Sequence, residues 1–574
     1  MRRLALFTAA LTSALASACA DPNATLSETA SETGLDETLG MNAEEVSMST
    51  TGPTVPAGAA TEVWAVRNQW ADTDTAEARR AGIAWSANSG LSWEQKYERW
   101  ITGFRRIPRA SGGETFEIQT PFGDRKFAAP TLECAEVSMF LRVTFASWYG
   151  LPFFIQGWSA ADRQPIFAGH FGFVFRTGQR ARNFPLFKTA YRDHTSTWTA
   201  GARWPSDPAL RRMRLGSDDA VPFLSNADGS TAGAGSYFDE LHLNKRVGYL
   251  TRLILVYFGS VNLADEGNTI HVRAASTAPG DILLKRWQRQ GIGHVLPVMR
   301  VDRPAEGRIA ASIASGSMPR RQPVWEEPTL AISSFTSQYT GGTEQSGDGV
   351  AYSTLGGGIR RWRTTVLRNN RWTNTTLAAD EPDYIAQSDQ AAIGARPEEF
   401  RSIWQVITPQ ERQAAAVSRI EAARAHLRMY PASCSARTRR EDAFADLYTV
   451  SEELGMTRAQ VDRAHRTLED HVFAELEYNQ SKTCCWNSTT AAMASIVMDF
   501  AQREQAQAQA RMMCVQPTVF RATGTGDGYE TWRAHAATMG RSADWRAWSE
   551  DEPCMARAVA MDTATMRAGD FCAR

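Results

Sequence analysis

The spacing of apolar and polar positions changes several times along the chain, and each change predicts a different element. In L-S-W-E-Q-K-Y-E-R-W-I-T-G-F-R-R-I, residues 91–107, Trp93, Tyr97, Trp100 and Ile101 recur at the period of an amphipathic helix, within a segment, 61–110, that reads as helical overall. Alternation replaces that period in T-F-E-I-Q-T-P-F-G-D-R-K-F-A-A-P, where Pro-Phe-Gly-Asp separates two short runs and predicts a hairpin. The next stretch, T-L-E-C-A-E-V-S-M-F-L-R-V-T-F-A-S-W-Y-G-L-P-F-F, is an apolar helix with Thr131 available as its cap and Cys134 in its first turn. Gly150 and Pro152 stop it. A second buried helix is expected in K-R-V-G-Y-L-T-R-L-I-L-V-Y-F-G-S-V-N-L. After it, T-A-P-G-D-I-L-L and G-I-G-H-V-L-P-V-M-R-V predict a Pro-Gly-Asp turn and two strands, the second opening at His294. Pro297 marks that strand as an edge or a bulge. Residues 331–407 turn Gly-, Ser- and Thr-rich with strand-like pieces such as I-R-R-W-R-T-T-V-L, and beyond 408 the pattern becomes Ala-, Arg- and Glu-rich helix.

The N-terminus changes the picture from a globular protein to an exported one. M-R-R-L-A-L-F-T-A-A-L-T-S-A-L-A-S-A-C-A has a basic start, an apolar core too short to span a bilayer, and small residues around Cys19, the layout of a secretory signal over residues 1–18. A-L-A-S-A-C resembles a lipobox, which would acylate Cys19 and tether the protein to the outer membrane. Ala16 and Ala18 equally form an A-x-A site for soluble release. Residues 19–60 are poor in aromatic side chains and predict a disordered tether. Lys+Arg (62) nearly cancels Asp+Glu (63), which argues against a nucleic-acid partner.

Cysteine placement then isolates one thiol. With Cys19 assigned to the leader or its lipid, Cys434, Cys484, Cys485, Cys514, Cys554 and Cys572 form an even C-terminal set, read as disulfides in an oxidising compartment. Their spacing lacks the C-x-x-C pair of a zinc site, so neither a metal nor a cofactor is expected. Cys134 is the remaining one. A first-turn thiol is favoured as thiolate by the helix N-terminus, and a histidine within reach would complete its activation. Of the nine histidines, His294, at the mouth of an apolar strand, has the most informative setting.

The segments E-C-A-E-V-S-M-F-L-R-V, P-G-D-I-L-L and G-I-G-H-V-L-P-V-M-R-V together resemble the NlpC/P60 peptidases of the papain-like superfamily, over residues 90 to 320. The resemblance implies an α+β fold in which a helix-start cysteine packs on a small antiparallel sheet, with Cys134 as nucleophile and His294 as general base. It also implies a polar residue on the following strand to orient the imidazole, for which Ser312 and Ser315 are the candidates, and peptidoglycan stem peptides as the substrate class. Ala135 and Glu136 stand where the family has Ser-Gly, and residues 155–278 form an insertion between the two catalytic positions. The expected organisation is an NlpC/P60-like domain over 61–330, an irregular β-rich segment over 331–407, and a disulfide-stapled all-α domain over 408–574. A catalytically inactive envelope-tethered binding or scaffolding lipoprotein is the alternative. A transglutaminase-like acyl transferase is a third, for which Asp302 is the acid after His294.

Overall fold

The computed structural model describes residues 49–71, 89–109, 112–226, 228–289, 293–346, 349–429, 434–472, 490–513 and 527–545. They fall into two units divided between Val406 and Ile407. The first is a mixed α+β domain built around one helix. Helix α1 (Trp93–Thr102) starts at a reciprocal cap, in which the Ser92 hydroxyl accepts from the Gln95 N–H at 3.3 Å and Gln95 Oε1 accepts from the Ser92 N–H at 2.9 Å. Its Trp93, Tyr97 and Trp100 pack on Phe145 of α2 (Cys134–Trp148). Every residue of α2 from Cys134 to Ala146 is buried, which is why that helix reads as an apolar run and not as an amphipathic stripe. Its one buried guanidinium, Arg142, is held by Glu94 at 2.6 and 2.9 Å and lies 3.6 Å from the Trp70 ring.

Three small antiparallel sheets surround the larger one. They are β2 (Arg105–Pro108), β3 (Glu114–Gln119) and β4 (Lys126–Ala128); β5 (Phe154–Ser159), β6 (Gln164–Gly169) and β7 (Gly172–Phe175); and β1 (Ser49–Thr51) with β15 (Arg371–Thr375) and β14 (Thr364–Arg368). The main sheet has seven strands in the order β12 (Val324–Glu326), β11 (Ala310–Ser315), β10 (His294–Asp302), β9 (Ile282–Lys285), β13 (Gly358–Trp362), β8 (Thr269–Val272) and β16 (Tyr384–Ile385), all paired antiparallel. Ile282, Leu284, Val295, Met299 and Ala314 share a core cluster with residues of α1 and α2, so these helices cover one face. Between the strands run α3 (Ala234–Leu241), α4 (Lys245–Tyr257) and α5 (Ser260–Ala264), and α6 (Pro328–Phe335) and α7 (Gln390–Ile403) follow β12 and β16.

The turn before β9 forms as the sequence predicts. Gly280 takes φ +88° with the Tyr97 ring where a side chain would stand, and Asp281 accepts from the Ala278 N–H at 2.8 Å. The Asp281 carboxylate also holds Arg361 of β13 at 2.8 and 3.0 Å, pinning the turn to the next strand.

Several expectations need correction. Within 61–110 the described helix is only 93–102, because Gly103 ends it and β2 follows. Thr131 does not cap α2; its hydroxyl donates to the Ala220 carbonyl, and Glu133 is the cap residue. The tether does not extend to residue 60, since β1 pairs with β15 and Val55 joins a small core with Phe154, Phe167 and Trp372. Of the two readings of Pro297 only the edge fails, since β10 is an interior strand; the bulge is there, between Val298 and Arg300. Residues 331–407 are no separate module: β13 lies between β9 and β8 of the main sheet. Likewise β8, inside the supposed insertion 155–278, is an inner strand of that sheet.

The second unit is helical: α8 (Pro409–Met429), α9 (Cys434–Glu453), α10 (Arg458–His465), α11 (Leu468–Val472), α12 (Thr490–Ala510) and α13 (Asp527–Thr538). Ile420, Phe444, Leu447 and Val461 form one core, and Met493, Ile496, Val497 and Trp532 another. Cys484, Cys485, Cys514, Cys554 and Cys572, and the side chain of Cys434, lie outside the described residues, as does the leader with Cys19, so the disulfide and lipobox expectations fall there too. Among the described residues no helix is long and apolar enough to cross a membrane.

Candidate cysteine site at the start of α2

Cys134 is the first residue of α2, as the pattern predicts, and it is buried. Its thiol donates to the Gly293 carbonyl at 3.7 Å, and the backbone N–H of Val295 also acts on the sulfur. The sulfur therefore meets the backbone on both sides of His294, the first residue of β10. Covalent geometry alone keeps the His294 Cα within about 6.5 Å of it. The side chain is a separate matter. Val295 packs in the core cluster that contains Cys134 and Leu284, and the pleat of β10 turns the half-buried His294 to the opposite side, level with Lys285 of β9.

The electrostatics oppose a resting thiolate. Burial pushes the Cys134 thiol up to about 11, and the nearby Glu133 and Glu136 carboxylates add to that, against the N–H groups of Val295 and Ala135. The acids are themselves clamped. Arg320 reaches Glu136 at 2.8 and 3.0 Å, Glu133 at 3.1 Å and Asp218 at 2.9 Å, with its own side chain almost fully buried. Glu136 in turn accepts from the Glu133 N–H at 2.8 Å, closing the first turn of the helix. Glu133 is pushed up to about 7, first by burial and then by the charge of Glu136.

The two serines proposed as orienting residues part company. Ser312 is paired across β10 with Arg300, far down the strand from His294, and its hydroxyl donates to Glu327 at 3.3 Å. Ser315, at the end of β11, is buried and accepts from Arg321 Nη2 at 3.2 Å. The pairing of β10 with β11 runs no further toward His294 than Val298 with Ile313. Ser317 is buried beside Gly316, and a Cβ on Gly316 would stand 2.7 Å from the Glu133 carbonyl oxygen and 3.0 Å from the Cys134 Cα. The Ser-Gly-Ser run was the sequence signal for this contact.

A further residue was not foreseen. The Ser260 hydroxyl, at the start of α5, accepts from the Gly293 N–H at 2.7 Å. Gly293 is thus gripped through its N–H by Ser260 and through its carbonyl by Cys134. A side chain there would meet the Lys285 carbonyl oxygen at 2.8 Å, so glycine is required. Ser260 lies in an unremarkable F-G-S-V-N-L, where nothing local signals a partner on a strand more than thirty residues away.

No family model, no curated protein and no solved structure matches the chain.

Proposed function

We propose that the chain is an exported cell-envelope cysteine hydrolase that cleaves an amide or peptide bond, with peptidoglycan stem peptides as its substrate class. Cys134 is the nucleophile and His294 the base, on a papain-like arrangement of the NlpC/P60 type. The observation that carries this reading is the contact of the Cys134 sulfur with the peptide groups flanking His294. The antiparallel meander β9–β10–β11 under α2 supports it. Because the thiol rests protonated and the His294 side chain lies on the other side of β10, catalysis requires the imidazole to turn to the sulfur and take its proton when substrate binds. The thiolate then adds to the scissile carbonyl, the imidazolium protonates the leaving amine as the C–N bond breaks, and water hydrolyses the thioester to a free acid. Export and tethering at Cys19 belong to the same proposal and rest on the leader sequence.

The test is digestion of purified muropeptides by the mature protein, with product release followed by mass spectrometry. Cys134→Ala and His294→Ala should each abolish it while far-UV circular dichroism stays unchanged. Turnover that survives Cys134→Ala would sink the assignment. A second reading, an envelope-tethered binding lipoprotein whose thiol is structural, is favoured by one observation, the burial of Cys134 beneath three carboxylates and one arginine. It predicts no turnover by the wild-type chain and retained binding to sacculi.

A further inference from the structure

A cavity of about 130 Å³ opens at the far end of α2, where Ser147, Trp148, Tyr149 and Gly150 form part of its wall. Fifteen residues of helix separate it from Cys134, about 22 Å along the axis, so it is distinct from the thiol site. Its charges balance. Glu62 and Asp193 line it together with Arg67 and Arg246, which disfavours a strongly charged occupant of either sign. Among the described residues the Arg67 guanidinium has no hydrogen-bonding or ionic partner, and Asp193 uses one oxygen, Oδ1, to accept from the Thr195 N–H at 2.9 Å. His242 adds an uncharged polar group: burial and the nearby Lys245 push it down to about 3, and its buried Nε2 has no protein partner.

Four aromatic residues, Trp64, Phe122, Trp148 and Tyr149, share the rest of the wall with small, aliphatic and neutral polar side chains. Phe122 and Trp148, both half-buried, meet edge to face with ring centres 6.1 Å apart. Phe122 also contacts Trp198 at 6.5 Å and Trp204 at 5.9 Å, so the aromatic surface continues beyond the cavity itself. An aromatic face accepts the C–H side of a sugar ring, while neutral and charge-balanced polar groups around it take hydroxyls. The volume suits one such ring. We infer that this cavity binds one ring of a neutral, hydroxyl-rich glycan, which stacks on one ring of the perpendicular Phe122–Trp148 pair, with Asp193 and Arg67 as hydroxyl partners at the mouth. An anionic ligand fits less well, since the charges lining the cavity cancel.

This inference does not rest on the hydrolase reading, and its test keeps the two apart. Calorimetric titration of the mature protein with tetra-N-acetylchitotetraose, and separately with cellotetraose, both neutral, should give saturable binding at millimolar concentration or below. Phe122→Leu, which keeps bulk but removes the ring, and Asp193→Ala should each weaken it roughly ten-fold. Cys134→Ala should leave it unchanged, whatever that substitution does to hydrolysis. Thermal unfolding of each variant checks that the fold survives. The inference is overturned by absence of binding to both glycans in the folded wild-type protein, or by binding that persists undiminished in Phe122→Leu and Asp193→Ala. Equal binding of a free stem tetrapeptide at the same site, displaced by glycan, also counts against it.

Discussion

The two ends of α2 are built on opposite principles. At its start the sulfur of Cys134 is buried among backbone groups beside a four-member cluster of three acids and Arg320, in which Glu136 and Arg320 are buried and Glu133 and Asp218 partly exposed. At its end the helix opens into a cavity where Arg67 and Asp193 are exposed and four aromatic residues form part of the wall. Charge at the dry end is therefore structural and strongly coupled, whereas charge at the wet end is available to a ligand and contributes little to folding. The same fifteen residues thus combine a rigid anchor with an adaptable rim.

The largest expected effect comes from breaking the dry end. Arg320→Met leaves Glu133, Glu136 and Asp218 facing one another without their cation, and should lower the unfolding free energy by about 3–5 kcal/mol at pH 7 in urea titrations. The loss should shrink at pH 5, where Glu133 can protonate. An effect under 1 kcal/mol at pH 7 would mean that water reaches these carboxylates. Next in size is Ser260→Ala, which strands the buried Gly293 N–H and should cost about 1–3 kcal/mol in the same assay. It should also speed alkylation of Cys134, because the peptide that holds the thiol loosens, and an unchanged rate would remove Ser260 from the site.

The pH response sharpens the comparison further. Burial raises the Glu133 carboxyl from its ordinary 4.5 to about 7, so the folded state holds that proton more tightly than the unfolded chain. The stabilisation is complete below about pH 4.5 and is lost as pH rises through about 7. Glu133→Gln keeps the neutral form and should flatten this decline between pH 5 and 8. With one negative neighbour fewer, its Cys134 thiol should titrate below the wild-type value of about 11, giving a several-fold faster reaction with iodoacetamide at pH 8. A wild-type rate already flat from pH 6 to 8 would instead reveal an imidazolium-paired thiolate. The smallest effect belongs to the wet end: Arg67→Gln and Asp193→Asn should each change stability by no more than about 0.5 kcal/mol.

What the sequence shows about this site divides along local and non-local lines. The Cys134 helix start, the Pro-Gly-Asp turn and the strand opening at His294 are local patterns, and all three stand where the periodicity sets them. The depth at which the thiol is buried was not legible, because Arg320 and Asp218 arrive from segments on either side of a long intervening chain. Ser312 and Ser315 follow from the resemblance as polar residues on the strand after His294, while their actual partners, Glu327 and Arg321, depend on the register and on the loop that returns after β11. The same limit hid β13. Glycine-rich flanks made 331–407 look irregular, although G-I-R-R-W is an inner strand whose Arg360 and Arg361 point their charges into buried partners on β8 and at the β9 turn.

The position of β13 also bears on how such a chain comes into being. A polypeptide released from its N-terminus presents β8 to β12 before the strand that must lie between β8 and β9. Until residue 362 has emerged, β9 keeps an unpaired edge, the kind of surface that recruits strands from other molecules. Closing that gap is a non-local step, slow by the measure of contact order. A nascent or truncated chain ending near residue 330 would contain Cys134, His294 and Ser260 in full, yet would hold a sheet in two disconnected parts. For this protein, completing the middle of the sheet is a late event, and the interval before it is when a chaperone would have most to do.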